Sequence, residues 1–267
     1  MARYGALIWL AVLALGPTPA VAAAGTPAAQ QPPERQVAVV AAGVLDPLAD
    51  LRRPGDTVTL SDEEGTTRWA HAQATSVIRG APLRNAGKMG RLRFLTEDGL
   101  AEVYLVLDAR MDGKGRRWLH IRIPKRPNGR TGWVLEDALS QLYVVRTQLV
   151  IDRSDLRATL YRKGARIWRA RVAIGKSDTP TPRGRFWIRE RLKGLGDGTT
   201  YGPWAFGTSA YSNLSDWPGG GVVGIHGTNR PGLIPGRPSH GCVRVRNDEI
   251  RELARLMPIG TPVQVIR

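Results

Sequence analysis

The chain has 267 residues with a formal charge of +16 and an ordinary 42% apolar content, which excludes wholesale disorder and leaves room for two domains. The charge is uneven: residues 146–267 hold 21 Lys and Arg against 9 Asp and Glu, a net of +12. Such a field gathers anionic partners. Nucleic acid is not the expected one, because no helix-turn-helix, zinc-finger or aromatic RNA-reading pattern is present.

The N-terminus reads as a secretory signal over residues 1–24. Arg3 supplies the positive start, Leu7–Leu15 the apolar stretch, and Ala20-Val21-Ala22 or Ala22-Ala23-Ala24 the small-residue cleavage site. The same segment, left uncleaved, would serve as an anchor. Residues 25–54 form a Pro/Ala/Gln-rich linker and an apolar lead-in ending at Arg53-Pro54-Gly55. The expected location is therefore outside the inner membrane, in the periplasm or cell wall.

Residues 55–145 are expected to be all-β. Short alternating runs (91–95, 101–107, 118–123, 131–134) are punctuated by turn signals at Asp112–Gly115 and Pro124–Arg130. A Trp-bearing strand, a Pro-Asn-Gly loop and Gly132-Trp133-Val134 resemble, in that order, a bacterial SH3-like module. Trp118 and Trp133 either line a groove or fill a small barrel core. His71 and His120 have no partner pattern and read as ordinary strand residues.

From residue 146 the pattern changes. A strand at 149–151 and a hairpin turning at Arg162–Ala165 precede the stiff Thr179–Gly184 loop. Residues 193–221, rich in Gly, Ser and aromatics, read as a long lid or a surface insertion. A helix is expected after Asn247 as cap, with Ile250, Leu253, Ala254 and Met257 on one face and Pro258 as stop. Residues 262–266 read as a final strand.

Cys242 is the single cysteine. An exported chain usually pairs its thiols, so a lone one suggests a use. Two clusters surround it, Gly224-Ile225-His226-Gly227-Thr228 and Ser239-His240-Gly241-Cys242-Val243-Arg244-Val245-Arg246-Asn247. A thiol needs a base or a positive neighbour to be nucleophilic near neutral pH, and His226 can be that base. Period-two geometry sets Cys242 and Arg244 on one strand face, where Arg244 favours thiolate or binds a substrate carboxylate. Gly241 permits close backbone approach and an oxyanion site. A zinc site from His226, His240 and Cys242 is a rival, but its spacing fits no familiar finger.

The His-Gly-Thr and Ser-His-Gly-Cys-Val-Arg-Val-Arg-Asn pair resembles the active-site signature of the L,D-transpeptidases, over roughly residues 146–267. The resemblance implies a mainly β chain: a small SH3-like barrel, then a β-sandwich-like catalytic domain with one short C-terminal helix. It also implies catalysis through a thioester, with no cofactor and no metal. On it, Cys242 is the nucleophile, His226 the general base and the Gly227 carbonyl its orienter. His240 and Gly241 frame the oxyanion site with Cys242, and Ser239 and Arg244 support the site or bind substrate. The implied partners are peptidoglycan stem peptides, with anionic wall polymers possible, and the expected state is a monomer. Water in place of an amine acceptor would give carboxypeptidase activity. In a papain-like wall hydrolase the Cys precedes its His, the reverse of the order here. A non-catalytic wall-binding protein would have no need of the intact Cys/His pair.

Overall fold

The computed structural model describes residues 46–194, 196–215 and 218–267. The expected signal segment and most of the linker lie outside them. Among the described residues no helix is long and apolar enough to cross a membrane. Residues 47–267 form one compact unit.

Its first part is a sheet of eight strands: β1 (Thr57–Thr59), β2 (Thr67–Ala70), β3 (Val77–Arg79), β4 (Lys88–Arg91), β5 (Tyr104–Met111), β6 (Arg117–Arg122), β7 (Thr131–Leu135) and β8 (Tyr143–Val145). The order is β4-β3-β7-β6-β5-β2-β8, with β1 added on β5. Alternation buries Leu119, Ile121 and Val134 together with Leu48 and Leu51 of the lead-in. Trp118 is buried with its indole N–H on Asp112 Oδ2 at 2.9 Å. Trp133 stays half-buried and stacks on His120 with ring centres 4.6 Å apart. The expected 91–95 strand is absent. β4 ends at Arg91, and the chain then turns back through a single Leu95–Ala101 bridge.

The second part is two sheets. One holds β9 (Thr147–Asp152), β10 (Arg157–Arg162), β11 (Ala165–Arg171), β13 (Gly184–Trp187) and β19 (Pro262–Ile266), in the order β11-β10-β9-β19-β13. The other holds β12 (Ala173–Gly175), β14 (Leu192–Lys193), β15 (Trp204–Tyr211), β16 (Val222–His226), β17 (Gly236–Ser239) and β18 (Val243–Arg244), in the order β14-β15-β16-β18-β12-β17. Leu149, Leu160, Trp168 and Val265 of the first sheet share one core with Phe206, Ile225 and Val243 of the second and with Val245 just after β18. Helix α1 (Asn247–Leu256) closes it with Ile250, Leu253 and Ala254.

Two expectations are corrected. The 193–221 stretch is not one lid, because Trp204–Tyr211 is a strand. Its side chains are buried on both faces, which erases the alternation that marks a strand in sequence. Asn247 is not the helix cap: Arg246 occupies that position and Asn247 is the first helical residue.

The two parts are joined by buried polar contacts. Arg189, 2% exposed, donates to both oxygens of Glu102 at 2.7 and 2.6 Å and to Glu97 at 2.8 Å. Burial works to raise the Glu97 carboxyl, but Arg189 and the Tyr211 hydroxyl hold it down at about 2. The Trp187 indole donates to the Val103 carbonyl at 2.8 Å. Removing one member of such a buried set leaves a charge without a partner. Glu102→Gln is therefore expected to cost ~3–5 kcal/mol, read as a lower midpoint in chemical denaturation. A midpoint within error of the parent would show that the network carries no stability.

Candidate active site

Strand β16 runs parallel to β18, with Ile225 opposite Val243 and His226 opposite Arg244. Ile225 and Val243 point into the core, so Gly224, His226, Cys242 and Arg244 share the other face. The half-buried Cys242 sulfur accepts the Gly224 N–H at 3.3 Å. A Cβ added to Gly224 would lie 3.7 Å from the His226 ring and 3.9 Å from Cys242 Sγ. A methyl there would sit in ordinary van der Waals contact with both groups, which places Gly224 between thiol and imidazole.

His226 is 3% exposed, and its Nδ1 lies 2.6 Å from the Gly227 carbonyl oxygen. A carbonyl only accepts, so Nδ1 carries the proton and Nε2 keeps its lone pair. Burial pushes the imidazole down to about 4, with Arg244 adding to this and the Gly227 carbonyl opposing it. Burial pushes the Cys242 thiol up, against the lowering pull of the Gly224 N–H and Arg244. The resting pair at neutral pH is therefore neutral thiol and neutral imidazole.

The turn before Cys242 is fixed from two sides. Ser239, fully buried, donates to the Cys242 carbonyl at 2.6 Å and accepts the Gly241 N–H at 3.2 Å. Thr181, from the stiff loop, donates to the Gly241 carbonyl at 2.8 Å and accepts the Gly175 N–H at 3.0 Å. Gly241 has φ +121°, a conformation that suits glycine alone, and its Cα faces Ser212 and Val223. His240 is exposed beside this turn, whereas Arg244 is half-buried. Among the described residues no group of three His, Cys, Asp or Glu is placed to hold a metal ion.

Two contributors, Tyr201 and Gly202, were not singled out in sequence, and Asn247 carries there only the signature of a helix cap. Tyr201 meets the His226 ring edge-on at 5.0 Å. Its phenol is pushed up to about 12, mainly by burial and next by Cys242. The Asn247 side chain accepts the Thr228 N–H at 2.8 Å and donates to the Asp197 carbonyl at 3.2 Å, tying the His-Gly-Thr segment to the start of α1. Gly202, at φ +66°, packs against Gly227: a Cβ there would lie 2.5 Å from Asn247 Oδ1 and 2.6 Å from Gly227 Cα. Gly202→Ala is expected to displace the carbonyl that orients His226 and lower kcat about 10²-fold with little change in KM. Unchanged kcat would show that this contact does not set the imidazole.

The loop flanking Gly241 is held by the first sheet. Arg126 donates to the carbonyls of Ser212 and Leu214, both at 3.0 Å, and of Gly220 at 2.7 Å. Asn128 exchanges two hydrogen bonds with the Tyr211 backbone at 2.9 and 3.0 Å. This is why the Pro124–Arg130 loop, legible only as a turn, matters to the site.

The model of the YkuD family, described as the L,D-transpeptidase catalytic domain, matches residues 146–265. The Bacillus subtilis protein YkuD, by name an L,D-transpeptidase, is 40% identical over 96 residues, covering 36% of this chain and 51% of the relative. The Bacillus licheniformis YkuD protein is 38% identical over 106 residues, 40% of this chain and 57% of its own. The chain spans about half the length of these curated relatives. A mutant Enterococcus faecium L,D-transpeptidase of solved structure is 25% identical, with 45% of this chain and 49% of that one covered and a TM-score of 0.36. Residues 146–265, which include His226 and Cys242, match the model of the L,D-transpeptidase catalytic domain.

Proposed function

We propose that the chain is an exported peptidoglycan L,D-transpeptidase in which Cys242 is the nucleophile and His226 the general base. The observation that carries this reading is the His226 Nδ1–Gly227 carbonyl contact of 2.6 Å. It leaves Nε2 as a proton acceptor on the same sheet face as Cys242. As Sγ attacks the carbonyl of the third residue of a stem tetrapeptide, the thiol proton passes to Nε2 and a C–S bond forms. The oxyanion is held at the 240–242 turn, which Ser239 and Thr181 fix; Ser239 already takes the Gly241 N–H, so the Cys242 N–H is the donor assigned to it. The C–N bond to the terminal D-Ala then breaks, and His226 returns the proton to the leaving amine. An amine from a neighbouring stem attacks the thioester, a C–N bond forms, and the thiol is released. In this reading Arg244, beside the thiol, meets a substrate carboxylate. Neither step calls for a metal or cofactor.

In the same reading, the 55–145 part is an SH3-like module that steadies the loop beside Gly241 through Arg126 and Asn128. Residues 1–24 direct export, and the basic catalytic domain suits an anionic wall. The test is incubation with tetrapeptide muropeptides followed by mass analysis. A Cys242 thioester, released D-Ala and a cross-linked dimer are expected. The absence of all three would overturn the assignment.

A further inference from the structure

The second part turns a second functional-looking face to solvent, on the side of the sandwich away from Cys242. The core residues of β10 and β11 (Ala158, Leu160, Trp168, Ala170) point towards the β15–β16–β18 sheet. Their alternates therefore point outward. Register sets them in rows: Arg157 opposite Arg171, Thr159 opposite Arg169, Tyr161 opposite Arg166. Arg166, Arg169 and Arg171 are exposed, and the other three are half-buried. Asp155 engages only one end, with Arg171 donating to its carbonyl at 2.7 Å and Arg157 Nε 4.0 Å from its carboxylate. The ion pairs among the described residues include neither Arg166 nor Arg169.

An edge strand such as β11 is protected from mispairing by one or two charges. Here four arginines spread over two strands, spaced about 5 Å across and about 7 Å along them. Tyr161 and Thr159 sit between them. Guanidinium forks match carboxylates, while a tyrosine ring and a hydroxyl suit neutral sugar. This alternation fits a polymer whose carboxylates are separated by uncharged units better than one with uniform charge.

We propose that this face is a docking surface for a peptidoglycan strand, gripped through the carboxylates of its stem peptides. The proposal rests on the transpeptidase reading for the choice of polymer, and it gives the enzyme a hold on the wall independent of its active site. Two sites on one body raise the local concentration of substrate at Cys242 without adding a contact there.

The experiment is co-sedimentation of the full chain with purified sacculi freed of phosphodiester polymers. It is done on a Cys242→Ala background so that no acyl transfer contributes. Arg166→Gln with Arg169→Gln is expected to raise the apparent Kd about tenfold and to flatten its salt dependence. Amidating the sacculus carboxylates should do the same to the parent. Both side chains are exposed and outside the ion-pair network, so the melting temperature should not move. Equal binding by parent and variant, indifference to amidation, or binding only where phosphodiester polymer is retained would each overturn the proposal. Turnover of a soluble tetrapeptide by the chain with Cys242 intact tests the transpeptidase reading separately.

Discussion

Cys242→Ala is expected to abolish D-Ala release from a tetrapeptide donor, with kcat lowered about 10⁴-fold or more. In the proposed mechanism the sulfur makes the C–S bond of the first step and is the leaving group of the second, and no second thiol exists in the chain to replace it. Cys242→Ser keeps the shape and an acceptor for the Gly224 N–H, which now lies 3.3 Å from Sγ. An alcohol is far less acidic than a thiol, and the burial that already pushes the thiol up works against an alkoxide as well. The serine variant should therefore fall with the alanine one. Both should melt close to the parent, because the lost contact is a single weak hydrogen bond worth at most about 1 kcal/mol. The measurements are intact-protein mass after donor addition, D-Ala release and thermal unfolding. Residual turnover within tenfold of the parent would place the nucleophile elsewhere.

The thiol, the histidine and their strand neighbours were legible in sequence because chemistry and periodicity coincide there. Cys242 and Arg244 alternate with buried Val243 and Val245, and His226 stands opposite Arg244 across a parallel pair. The hairpin of β10 and β11, the helix after residue 246 and the last strand were legible for the same reason. What was not legible is what depends on tertiary approach. Tyr201 and Gly202 come from a stretch with no periodicity and reach His226 and Gly227 only when β15 pairs with β16. Asn247 carries the local signature of a helix cap, yet its side chain turns to the Thr228 N–H. A tertiary partner here outcompetes the local one. Glu102 and Arg189 are 87 positions apart, and nothing near either marks it as a member of a buried ion pair. The Thr179–Gly184 loop was legible as stiff. That Thr181 braces the Gly241 carbonyl was not.

His226→Gln should lower kcat by about 10²–10⁴-fold, and its effect on pH behaviour separates two forms of the mechanism. With the imidazole pushed down to about 4 and the thiol pushed up, the resting site holds neutral partners from pH 5 to 8. Proton transfer then accompanies attack on the donor instead of preceding it. Alkylation of Cys242 by a small neutral haloacetamide should be slow across that range and rise only towards alkaline pH. A fast plateau from pH 5 to 8 that disappears in His226→Gln would reveal a preformed thiolate–imidazolium pair and sink this form of the mechanism. The same shift has a consequence for stability. The unfolded chain takes up a proton at this histidine near 6.5, whereas the folded chain resists until about 4. Between those values the unfolded state binds more protons, so stability falls as pH is lowered through the window. The burial of neutral His226 is fully expressed above pH 6.5 and loses about 3 kcal/mol by pH 4. His226→Gln does not titrate, so urea midpoints taken at pH 7 and pH 4.5 should lie closer together in the variant than in the parent. Equal spacing in both proteins would mean that His226 titrates normally in the fold, and the neutral resting pair would fall with it.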